Sequence, residues 1–171
     1  MILLDAFQDG EIAVMFILLL AIAWMLAEFK GMKEEIRDRL DIKNEPLRLR
    51  LQAYERLTVF AERVSLKNLV ARIPYVGLSV VDLQLAFLEN IRTEYEYNVS
   101  QQVYVSHNMW KAIGNLKDQN IYIINQIAAT LPSHSSGLEL SKRLLEYLST
   151  KNADLSVVVL EALQFEAKKI F

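Results

Sequence analysis

The chain has 171 residues, 53% of them hydrophobic, and a formal net charge of −2. All 19 Lys and Arg lie from Lys30 onward against 17 of the 21 acids, so the body is close to neutral, with no block of like charge. That balance excludes the electrostatic footprint of a nucleic-acid binder, and the absence of Cys excludes disulfides and thiolate metal sites.

Residues 12–27, "IAVMFILLLAIAWMLA", are sixteen consecutive apolar positions between Glu11 and Glu28. At helical rise they cover about 24 Å, and Phe29 with a snorkelling Lys30 extends the reach toward the roughly 30 Å of a bilayer core. A cleaved secretory signal fits less well, because "AIA" supplies the small-residue site but the start, "MILLDAFQDGE", is acidic. A buried core helix would show a polar stripe, and this run has none. The expectation is a transmembrane anchor over residues 1–28. Lys30, Lys33, Arg37 and Arg39 crowd its C-terminal side, so the charge rule places the N-terminus outside and the body in the cytosol. Contact with the lipid bilayer and a bacterial inner-membrane location follow from that reading.

Phe29, Met32, Ile36 and Leu40 continue a helical spacing through residues 29–45, a juxtamembrane linker helix that Asn44 and Pro46 should end. Its narrow apolar stripe suits either the seam of a homodimer or a resting place on the chain's own domain. Residues 46–171 form the cytosolic domain. Leu47, Leu51, Tyr54, Leu57, Ala61 and Val64 make one apolar face, and residues 65–78 with Pro74 and Gly77 make a connection. Ser79 and Asp82 in "SVVD" form a capping box that opens a helix to about Gln102. Ser106 caps a long central helix to about Leu131, "SGLE" at Ser136–Glu139 opens a helix to about Ser149, and a last helix runs from Asp154 to Lys169. The fold class expected is therefore all-α: one transmembrane helix, the linker helix, and a bundle of four main helices.

The end of the Ser79 helix, "EYEYNVSQQVYVS", is the most polar stretch. Continuing the apolar stripe of Val80, Leu83, Phe87 and Ile91 gives Glu94 or Tyr95, then Asn98, then Gln102. Three readings stay open. The end is a solvated overhang, the preferred one; or a buried polar cluster with partners elsewhere; or a binding surface. Tyr95, Tyr97, Asn98, Gln102 and Tyr104 form the candidate interaction patch, since tyrosine is enriched at binding hot spots. Tyr95 is expected to serve the core, and Tyr97 or Tyr104 to make contacts.

No catalytic residue, cofactor-binding residue or metal ligand is expected. Neither His107 nor His134 has a Glu three residues earlier, as a di-iron bundle needs, and no H-E-x-x-H, G-x-S-x-G or phosphate-cradling glycine loop occurs. Both histidines read as solvated surface residues. "LRLRLQAYERLTVFAERV", "LQLAFLENIRTEYEYNVSQQVYVS" and Trp110 resemble a family of membrane-anchored proteins of unknown function from Bacteroidota. The resemblance covers residues 46–131 and implies one N-terminal span and a helical cytosolic domain, but no activity. Met109 departs from it, standing where an acid would complete a capping box from Ser106. The function expected is a non-enzymatic, membrane-tethered scaffold that docks a protein partner or itself. The alternative is an accessory subunit of an inner-membrane complex, packing its span through Ala21, Ala23 and Ala27.

Overall fold

The computed structural model describes the backbone of residues 2–151 and 154–170, and the side chains of residues 18–36, 44–149 and 154–170. The chain divides into two compact units, Met1–Pro46 and Leu47–Phe171. Among the described residues the elements are α1 (Ile2–Val64), α2 (Leu66–Arg72), α3 (Val80–Asn98), a 3-10 turn (Val99–Val103), α4 (His107–Ala129), α5 (Gly137–Lys151) and α6 (Leu155–Lys168).

In the second unit, α3 packs on α4 and α5, α2 on α5, and α4 on α5 and α6. The end of α1 contributes Tyr54, Leu57, Phe60, Ala61 and Val64 to the same core, so five complete helices, the short α2 among them, pack with a sixth segment that belongs to α1. Leu47 and Leu51, expected on that face, lie at its margin, exposed and half-buried.

Local sequence chemistry sets most helix starts. The hydroxyl of Ser79 accepts from the Asp82 N–H and the Asp82 carboxylate accepts from the Ser79 N–H, so the expected capping box is made. Ser106 accepts from the Met109 N–H at 3.0 Å, and Asp154 accepts from the Ser156 N–H at 3.0 Å. The Ser106 hydroxyl donates to Glu166 Oε1 and the Tyr54 hydroxyl donates to Glu166 Oε2, both at 2.8 Å, tying α6 to α4 and α1. Burial, followed by the Glu166 carboxylate, raises the Tyr54 phenol above its ordinary value.

α3 and α5 begin side by side. Ser79 and Ser136 face each other in an antiparallel bridge, with the Val80 N–H donating to the Ser135 carbonyl at 3.1 Å and the Gly137 N–H to the Leu78 carbonyl at 2.8 Å. Gly77, at φ +79°, turns the chain into this contact, a conformation that glycine adopts without steric cost. At Gly137 a Cβ would sit 3.2 Å from both the Leu78 carbonyl oxygen and Leu83 Cδ2. Since that carbonyl is held by its own hydrogen bond, Gly137→Ala is expected to cost about 1–3 kcal/mol. An unchanged urea midpoint would show that the two helix starts separate freely.

Three expectations are corrected. Among the described residues no helix is long and apolar enough to cross a membrane, which overturns the transmembrane anchor. The side chains of Ile12 to Ile17, and those of Arg37, Arg39 and Leu40, lie outside the described residues. With the span go the N-out orientation and the single-pass inner-membrane location, which rested on it. The second correction is that α1 runs through Pro46 instead of ending there. Proline removes one N–H and crowds the preceding turn, but this penalty is local, and the packed face from Ala53 to Val64 supports the helix from two turns beyond it. The third concerns Asn98.

Candidate interaction surface

The last turn of α3 lies beside α1. Asn98, expected to be solvated, is 4% exposed, and its amide donates to the Glu94 carbonyl at 2.8 Å. The apolar stripe of α3 therefore carries inward through Asn98, whose polarity is met by the helix's own backbone. Beyond it the inward position is Gln101, not Gln102: Gln101 is buried and Gln102 exposed. The reason is the 3-10 turn at Val99–Val103, where three residues per turn bring the position three along, instead of four, back to the same side. The buried Gln101 amide donates to Ser100 Oγ at 3.0 Å.

The three tyrosines separate. Tyr95 is half-buried, stacked on Trp110 with ring centroids 5.2 Å apart and edge-on to Phe60 at 6.2 Å, with the Lys117 ammonium 4.5 Å from its centroid. It closes the end of the core, and its ring geometries are those aromatic pairs favour. Tyr104 is half-buried, and its N–H donates to the Gln101 carbonyl at 3.0 Å as the 3-10 turn ends.

Tyr97 is 73% exposed, yet it is held. The Arg56 guanidinium lies 4.7 Å from its ring centroid and donates to its carbonyl at 3.1 Å. A shallow groove between α1 and α3 runs past this pair, lined also by Glu55, Val59, Arg63 and Glu94. Val59 is an exposed apolar side chain in that groove, and one Arg63–Glu94 ion pair at 2.6 Å bridges the two helices. Half of Arg63 is exposed, so the pair positions the helices and contributes no more than about 1 kcal/mol. Arg56 and Val59 had no place in the sequence reading. They stand some forty residues from Tyr97, and no local spacing signals that they meet it.

Both histidines are exposed. Among the described residues no group of three or more His, Asp or Glu side chains is placed to hold a metal ion.

A family model described as a family of unknown function, DUF7935, matches residues 7–170. The chain belongs to this family. No curated protein matches it. No solved structure does either. The DUF7935 match spans both compact units, so α1 and the bundle belong to one family pattern. Within this DUF7935 chain, the Arg56–Tyr97 ridge and the groove beside it bring exposed aromatic, cationic and apolar groups together.

Proposed function

We propose that this DUF7935 protein is a non-enzymatic helical interaction module that docks a protein partner on the ridge between α1 and α3. The observation that carries the reading is Tyr97, an exposed aromatic ring already fixed by Arg56 through its face and its carbonyl. Tyrosine and arginine are, with tryptophan, the side chains enriched at binding hot spots, and ordering them before contact lowers the entropy that association costs. Val59 supplies apolar area beside them, while Glu55 and the Arg63–Glu94 pair form a polar margin, the usual anatomy of an interface. The kinship with proteins of Bacteroidota suggested by the quoted segments belongs to this proposal and implies a bacterial partner.

Tyr97→Ala and Arg56→Ala test it. Each is expected to change the stability of the chain by no more than about 1 kcal/mol, because the pair is at the surface. Each is expected to weaken partner binding by about 2 kcal/mol or more, roughly 30-fold in Kd. Full partner recovery by both variants in affinity purification would refute the ridge as the docking site.

A further inference from the structure

The first unit presents a second surface, independent of that ridge. On α1 the side chains of Leu18, Ile22, Met25, Phe29, Met32 and Ile36 are between 49% and 62% exposed. Their spacings are 4, 3, 4, 3 and 4 residues, which fits one seam along a supercoiled helix pair; every position from Leu18 to Ala27 is apolar, so Phe29, Met32 and Ile36, where polar residues return between them, set the register. Ile22, Phe29 and Ile36 then take the a positions, and Leu18, Met25 and Met32 the d positions. Ile at a with Leu at d is the combination that favours two parallel strands; Ile22, Ile36 and Leu18 match it, while Phe29 at the middle a and Met25 and Met32 at d depart from it.

Charge supplies the second argument. In this register Glu28 falls at g and Lys33 at the following e, so in a parallel pair of chains the Glu28 of one copy faces the Lys33 of the other, twice by symmetry. Gly31, the weakest helix former in the segment, falls at c, away from the seam, with nothing within 4 Å of a Cβ placed there. Leu19 and Leu26 take the flanking e positions, and Leu20 at f and Trp24 at c, 68% and 72% exposed, carry the apolar surface round the helix outside the seam.

We infer that a second copy of this chain docks on the Leu18–Ile36 face of α1, forming a parallel, in-register, two-stranded coiled coil with Glu28–Lys33 pairs across it. The chain has no Cys, so single cysteines report the register directly. In the full-length protein under mild oxidation, Met25→Cys and Met32→Cys are expected to give a disulfide-linked band at twice the 19.7 kDa of the chain. Identical d positions face each other closely enough for a disulfide in a parallel pair, and the f positions do not. Leu20→Cys and Glu34→Cys, at f, are therefore expected to stay monomeric. Adding Lys33→Glu to Met32→Cys should lower the dimer yield, and adding Glu28→Lys as well should restore it. Equal dimer from seam and f positions overturns the proposal. So does monomer at all four positions, the result expected if a different protein covers this face.

Discussion

Phe60→Ala is expected to remove about 3–5 kcal/mol of unfolding free energy, the usual cost of deleting a fully buried aromatic ring and leaving a cavity. Phe60 is 0% exposed and meets the edge of Tyr95, which in turn stacks on Trp110. Its loss therefore loosens the aromatic column that joins α1, α3 and α4, beyond the apolar area it exposes. Domains of this size have about 5–15 kcal/mol in total, so the variant should melt at a markedly lower urea midpoint with an unchanged slope. A loss below about 1 kcal/mol would place Phe60 outside the core.

The second large effect is expected at Asn120. Its side chain is 4% exposed, and its amide donates to the Val64 carbonyl at 2.8 Å, one of the carbonyls that a helix end leaves without an intrahelical partner. Asn120→Ala removes the donor and strands a buried carbonyl, at a cost of about 1–3 kcal/mol. Asn115, on the same helix but exposed, is the control: Asn115→Ala should stay within about 0.5 kcal/mol. Equal effects of the two substitutions in a denaturant melt would show that Val64 finds another donor.

What was legible in the sequence was local. Ser79 with Asp82, Ser106 and Asp154 each act on an N–H two or three residues away, so their capping roles can be inferred without knowing the fold. Helical periodicity likewise located the buried faces of α3 and the end of α1. The polar end of α3 reads as solvated from its composition, but the stripe continues through it: Asn98 turns inward and satisfies its amide on the Glu94 carbonyl. The switch from Gln102 to Gln101 depends on a change of helix type that no residue there announces. Contacts made at long range were illegible in principle, among them Asn120 with Val64, Tyr54 and Ser106 with Glu166, and Arg56 with Tyr97.

The apolar run teaches a different lesson. Hydropathy alone does not name what covers a helix: sixteen apolar residues in a row read as a bilayer span, yet among the described residues no helix is long and apolar enough to cross one. The spacing of Phe29, Met32 and Ile36, where polar residues return, carries information that mean hydropathy discards, namely a seam and a charge pair, Glu28 and Lys33, in register with it.

Photo-crosslinking from position 97 tests the central claim, that the α1–α3 ridge docks a protein, most directly. A benzophenone amino acid replaces Tyr97 in one form of the full chain and Tyr122 in another. Tyr122 is a comparably exposed tyrosine on α4, outside the groove lining. The account predicts a discrete crosslinked protein from position 97, absent from position 122 and lost when Arg56→Ala is added. Identical products from the two positions, or none from position 97, would contradict it.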